Sequence, residues 1–272
     1  MPLGKANGIS LYYEAVGRGR PLIWANGFAC GLRMWDPQVA ALADRHRVIT
    51  YDVRGHGASD VPELAEAYSQ PISVEDLRGL LRHLGISRAV VGGLSMGGNI
   101  VLNFALAFPD MVDGLIICDT GAGSDNTEEW IANCEAWARL LDREGIEPFA
   151  DMMLAHPLLA RYVAQGPEAT RLMRSLVTTH RARGLAYTLR GVLARRPTIY
   201  SLEPKLRQLR IPTLLIVGEL DEPCVKVHRF MGDAIAGSDQ VVIKGVGHMT
   251  NLEDPATFNA VVTQFLLRVY RG

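Results

Sequence analysis

The sequence has few cysteines and no closely spaced pair of them. Cys30, Cys118, Cys134 and Cys224 are scattered over 272 residues, which excludes the common zinc and thioredoxin-type C-x-x-C patterns. Buried free thiols in a reducing compartment are expected instead. Charge of one sign is also missing. Twenty-eight Lys and Arg against 29 Asp and Glu leave a formal net charge of −1, with no basic tail, so neither nucleic acid nor an anionic membrane is an expected partner. No run is long and apolar enough to span a bilayer, and "MPLGKANGIS" lacks the apolar core of a signal peptide. These absences lead us to expect a soluble cytoplasmic protein; it is taken as a monomer or homodimer with no metal site. Apolar residues are plentiful at 48%, enough for a sizeable core and too many for disorder.

The apolar residues are arranged in alternating types of segment. "ISLYYEAVG", "RPLIWANG", "HRVITYD", "RAVVGG", "DGLIICDT", "IPTLLIVGE" and "SDQVVIKG" read as strands. Several are continuous apolar runs, as in strands covered on both faces. Between them lie helical patterns. In "SVEDLRGLLRHLG", Leu77, Leu80, Leu81 and Leu84 form one stripe, Ser73 and Asp76 resemble a capping box, and Gly85 supplies a stop. Strand–helix alternation predicts an α/β fold, a mostly parallel central sheet with helices on both faces. From about Gly123 to Ser201 helical patterns run without a strand. We therefore expect a helical cap over residues 123–203, inserted between core segments 1–122 and 204–272.

A serine stands among four glycines in "GGLSMGGN", between a predicted strand and a predicted helix. Gly93-Leu94-Ser95-Met96-Gly97 fits G-x-S-x-G. In that pattern a tight strand-to-helix turn lifts the hydroxyl clear of the sheet, and glycines two residues to either side avoid a collision. The helix that follows aims free N–H groups at a developing negative charge.

A nucleophilic serine needs a base, and the base needs an orienting carboxylate. Of the seven histidines, His248 in "VGHMTNLEDP" follows the last strand and precedes the last helix, and it is the expected base. His46, His83, His156, His180 and His228 read as surface or cap residues, and His56 in "RGHG" as a turn former. Asp221, after "TLLIVGEL", is the expected acid. Asp119, after "GLIIC", is its rival, and Glu219 and Glu222 lie close by. The Met96 and Phe28 amides are the expected oxyanion donors. Arginines 139, 161, 171, 174, 181, 190 and 195 stud the cap segment. They form either a solvated face or a clamp for a substrate carboxylate.

With these residues in place, the chain resembles the α/β-hydrolase family over nearly its whole length. "YDVRGHGASD", "GGLSMGGN", "VGELDEP" and "GHMTNLEDP" carry the likeness in order and spacing. Asn26-Gly27 stands where most members have His-Gly. That asparagine, with "MWDPQVAAL" and "CDTGAG", is similar to the 3-oxoadipate enol-lactonase branch. The resemblance implies a cofactor-free serine hydrolase with a Ser95–His248–Asp221 triad, acting on a small ester or lactone, with Asn26, Trp130 and Met249 against the substrate. A C–C bond hydrolase of diketone ring-cleavage products, a small-ester arylesterase or perhydrolase, and a non-catalytic ligand-binding protein are the rivals.

Overall fold

The computed structural model describes residues 2–270. In chain order it begins with β1 (Leu3–Ala6), β2 (Ile9–Val16) and β3 (Arg20–Ala25), then α1 (Asp36–Leu42), β4 (His46–Tyr51) and α2 (Gln70–His83). Next come β5 (Ala89–Leu94), α3 (Met96–Ala107) and β6 (Val112–Cys118). Six helices follow: α4 (Thr127–Glu144), α5 (Ile146–Ala155), α6 (Pro157–Val163), α7 (Pro167–Thr178), α8 (Ala182–Thr188) and α9 (Glu203–Leu206). The chain ends with β7 (Thr213–Gly218), α10 (Glu222–Ala234), β8 (Asp239–Ile243), α11 (Thr250–Glu253) and α12 (Pro255–Val269).

The eight strands form one sheet in the order β1-β2-β4-β3-β5-β6-β7-β8. β1 and β2 join antiparallel, and every pairing from β4 to β8 is parallel. Strands β5 and β7 are buried along their full length, and β6 at every residue but Asp113, as their continuous apolar runs predict. Strand order reverses between β3 and β5. Ligands of open α/β sheets bind outside the strand C-termini at such a point, and the loops after these two strands carry Phe28 and Ser95. No described helix is long and apolar enough to cross a membrane. All four cysteines are buried and free.

Two local expectations are corrected. Helix α2 starts three residues before Ser73. Its cap is Ser69, whose side chain accepts from the Ile72 N–H at 3.3 Å, with Pro71 in the first turn; proline suits that position because the N–H it lacks would be unpaired there anyway. Asp76 is no capping residue. It forms a buried two-point pair with Arg54 (2.8 and 2.6 Å) that ties α2 to the Gly-rich turn after β4. The other end follows the expectation: Gly85 takes φ +67° and the Ile86 N–H reaches back to the Leu81 carbonyl at 2.9 Å. Strand β1 had no pattern of its own in four residues.

The glycines around Ser95 are explained by close approach. A side chain at Gly93 would overlap the Gly97 backbone, and one at Gly97 would overlap the Ala25 and Asn26 carbonyls at the end of β3. Gly92 makes room for the Trp24 ring, and Gly98 for Thr120. The start of α3 is thus pressed against the end of β3. Gly97→Ala should push the two apart and cost about 1–3 kcal/mol or more, measured as a lower urea midpoint; an unchanged midpoint would refute the close contact.

Candidate active site

Ser95 closes β5 with φ +55° and ψ −112°, outside the conformations that side chains favour. Such strain costs on the order of 1–3 kcal/mol and persists only where neighbours over-determine it. Here the Ser95 N–H donates to the Cys118 carbonyl at 2.8 Å. The Ser95 carbonyl accepts from the Asn99 N–H at 3.1 Å and from the Thr120 hydroxyl at 3.3 Å. The Met96 N–H opens α3. Neither it nor the Phe28 N–H has a protein acceptor among the described residues, and Phe28 lines the same cavity as Ser95.

Asn26, expected against the substrate, is fully enclosed instead. Its amide donates to the Gly27 carbonyl at 2.9 Å and to the Cys30 carbonyl, and its oxygen accepts from the Val53 N–H at 3.0 Å. It braces the loop that presents Phe28. Met249 and Trp130 do line the cavity.

His248 lies in the loop after β8. Its Nδ1 is 2.8 Å from Asp221 Oδ2, both side chains being buried, which leaves Nε2 as the nitrogen available to a nucleophile. Ser95 and His248 line one cavity. Among the described residues no hydrogen bond joins the hydroxyl to the ring; such bonds are often loose until substrate is bound. Burial works against charge on His248, but the Asp221 charge and hydrogen bond, with Asp119 and Glu253 adding, outweigh it and raise its pKa to about 9. For Asp221, burial favours the protonated form. The His248 charge and hydrogen bond, the Cys224 thiol and His228 overcome that and lower its pKa.

Asp119, the rival acid, does not touch His248. Its Oδ1 accepts from the Gly218 N–H at 2.9 Å and its Oδ2 from the Thr250 hydroxyl. It therefore fastens the end of β7, which leads to Asp221, to the start of α11, which follows His248. Burial and then the Asp221 charge raise its pKa well above the carboxylate range. Beside it, the Thr120 N–H donates to His228 Nε2 at 2.9 Å, so His228 is a buried brace and not the surface residue expected. Its signal lay in α10, where Cys224, Val227, His228 and Met231 share one buried face. Glu253 accepts from the Gly247 N–H at 2.7 Å and the Met249 N–H at 3.0 Å, gripping His248 from both sides.

One group among the described residues has metal-like geometry: Asp221, Cys224 and His248. Its chemistry does not suit a metal. Asp221 already accepts the imidazole proton, and burial pushes the Cys224 thiol well up, so the thiolate a metal needs is disfavoured.

The cap arginines mostly face outward. Arg139 pairs with Glu135 (2.9 Å), Arg171 with Glu168 (3.9 Å), Arg174 with Glu147 (2.7 Å), and Arg190 with Glu135 and Asp142 (both 2.8 Å). Arg161 donates to the Gly245 carbonyl at 2.9 Å, and Arg181 and Arg195 are exposed. None of them lines the cavity.

The chain is similar to known proteins in sequence and in fold. A family model for the alpha/beta hydrolase fold matches residues 20–255. The chain is 29% identical over 266 residues to 3-oxoadipate enol-lactonase 2 of Acinetobacter baylyi, covering 97% of this chain and 95% of that protein. Among solved structures, the enol-lactonase of Burkholderia xenovorans superposes with a TM-score of 0.87 at 29% identity, covering 98% of this chain and 100% of that one. A thermophilic esterase of Thermogutta terrifontis, solved with malate bound, gives 0.89 at 31% identity, covering 99% and 100%.

Asp119→Ala leaves the Gly218 N–H and the Thr250 hydroxyl without their acceptor. An unsatisfied buried group costs about 1–3 kcal/mol, so the urea midpoint should fall clearly, and Asp119→Asn should recover part of the loss. Wild-type stability in the alanine variant would show that the carboxyl fastens nothing.

Proposed function

The chain belongs to the alpha/beta hydrolase fold family, and on that footing we propose that it is a serine hydrolase cleaving a small ester or lactone through Ser95, His248 and Asp221. One observation carries the reading: a strained serine at the head of α3 shares its cavity with a histidine already bonded, in a buried setting, to a carboxylate. A protein that only binds ligands has no use for that strain or for that pair.

In this reading His248 Nε2 takes the Ser95 proton as the hydroxyl attacks the ester carbonyl. Asp221 holds the ring through Nδ1 and stabilises the imidazolium that forms. The Met96 and Phe28 amides receive the oxyanion; losing one such donor costs roughly a hundred- to a thousandfold in turnover. The imidazolium returns its proton to the leaving alcohol, and water activated by the same ring releases the acid. A lactone keeps its leaving group tethered and follows the same steps. A C–C bond hydrolase would use the same three residues, so a panel of enol-lactones, aryl esters and ring-cleavage diketones separates the two.

Ser95→Ala should abolish hydrolysis of p-nitrophenyl acetate, with folding intact by circular dichroism, and a fluorophosphonate probe should label wild type at Ser95 alone. Retained turnover in the variant would remove Ser95 from the mechanism. The base works unprotonated, so kcat/KM should rise with pH through a limb displaced above 6.5 toward about 9. Asp221→Asn removes the charge that holds the proton. It should move that limb to lower pH while cutting kcat by roughly 10⁴-fold; a limb that stays in place would separate Asp221 from the base.

A further inference from the structure

The walls around Ser95 carry information about the substrate that the triad does not. The cavity amounts to about 40 Å³, and about 10–15 Å³ of such space holds one water. It therefore admits a few heavy atoms beyond the reacting carbonyl. Cap residues Trp130, Trp137, Met153, Met173 and Leu193 form its apolar roof over Ser95 and His248. Among the described lining residues none is Lys, Arg, Asp or Glu.

Charge beyond the walls sharpens the point. Asp221, Asp119 and Glu253 all act on His248, so the back of the site is a cluster of carboxyl groups against one imidazole. A half-buried cation, Arg196, packs against this roof. It lies behind Trp130, with its guanidinium 5.4 Å from the centre of the ring, and its Nη2 donates to the Ala122 carbonyl at 2.8 Å. Trp130 itself donates from Nε1 to the Leu193 carbonyl at 3.0 Å and meets Trp137 edge-on with ring centres 6.0 Å apart. Below it, any side chain at Gly123 would overlap the ring. The indole is thus fixed in a socket, and it lines the cavity while the arginine does not.

From this we infer that the enzyme acts on esters or lactones whose acyl part is short and uncharged, with Trp130, held in place by Arg196, setting the length limit. The inference rests on the serine-hydrolase reading, because the acyl group stays on Ser95 through half of the cycle and the enclosing walls must accept it. A carboxylate on that group would enter an apolar cavity whose one basic lining residue, His248, is already paired with the Asp221 carboxylate. Burying a charge unpaired is expensive. The relative from Acinetobacter baylyi is named for the enol-lactone of 3-oxoadipate, a dicarboxylate; this chain is assigned a different acyl class.

The test compares kcat/KM for p-nitrophenyl acetate, butyrate, octanoate and the mono-p-nitrophenyl ester of succinic acid. Butyrate should exceed the succinate ester by ~100-fold or more, since the unpaired carboxylate must be desolvated. Acetate and butyrate should exceed octanoate. Trp130→Ala should raise the octanoate-to-acetate ratio by roughly tenfold or more, a pocket methylene being worth about 10–200-fold. Arg196→Met, which keeps length but loses the charge and the Ala122 bond, should shift the same ratio the same way by a smaller factor, through KM for octanoate. Trp130→Phe keeps most of the wall and should stay near wild type. Should Trp130→Ala fail to fold, Trp130→Leu and the wild-type ratios decide. Equal or better use of the succinate ester overturns the proposal, and loss of that preference in Arg196→Met would make Arg196 a carboxylate clamp. An unchanged chain-length ratio in the folded Trp130 variants removes Trp130 as the limit. Failure of every ester together with no fluorophosphonate label would instead fault the Ser95 reading beneath it.

Discussion

The bond between Asp221 and His248 is the constraint around which the site is arranged. At 2.8 Å, with both side chains buried, it holds only if two loops from neighbouring strands keep a fixed spacing. β7 and β8 pair in parallel from Leu214–Asp239 to Gly218–Ile243, which sets where the loops begin. The Glu219 N–H continues the pairing to the Ile243 carbonyl at 2.9 Å, and the Leu220 N–H bonds the Val246 carbonyl at 2.9 Å. The two loops are therefore zipped together almost to the catalytic pair. Burial strengthens the pair's attraction and raises the cost of breaking it, because either partner left alone would be an uncompensated polar group in a low dielectric.

A second constraint links this pair to the nucleophile. Residues 118–120, at the end of β6, touch the segments that carry Ser95, Asp221 and His248. The Cys118 carbonyl receives the Ser95 N–H, Asp119 spans from Gly218 to Thr250, and Thr120 bonds both Ser95 and His228. Asp119 adopts φ +45° to do so. That conformation is uncommon for any residue except glycine, and a short polar side chain tolerates it best. β6 lies between β5 and β7, so its end is the natural place for a piece that holds both neighbours in register. The same topology brings in the cap, since the chain leaves β6 for α4 and comes back at β7. The roof over the serine and the brace beneath it are consecutive in sequence.

Much of this could be read from the chain before any coordinates. Continuous apolar runs revealed β5, β6 and β7, and the glycine-flanked serine and the histidine in the last loop carried their signals in local pattern. What escaped depended on distant partners. Asp119 and Asp221 both follow apolar strands, and nothing local distinguishes an acid that orients an imidazole from one that fastens two loops. Asn26 sits in the loop that presents Phe28, so it read as a pocket residue; only the three-dimensional path shows its amide turned away, toward Cys30 and Val53. Ser73 and Asp76 fit a capping pattern four residues too late, because Ser69, ahead of Pro71, already caps the helix. Arg196 drew no notice among more conspicuous arginines, since a guanidinium packed behind a tryptophan has the same sequence signature as a solvated one.

Position and basicity of His248 are not independently adjustable in this architecture. Glu253 bonds the amides on either side of the histidine, Asp119 anchors the following turn through Thr250, and Asp221 orients the ring. The Asp221 charge and hydrogen bond do most to raise its pKa, and Glu253 adds to them. A residue that neutralised one of them would weaken the proton's hold and also release a loop. In the serine-hydrolase reading the arrangement therefore commits the site to a strongly basic imidazole tied to the Asp221 carboxylate, which favours attack by the serine. Substrate choice then follows partly from how the base is held. The imidazole beside the cavity is already committed to Asp221, and the apolar roof offers an incoming carboxylate no second partner.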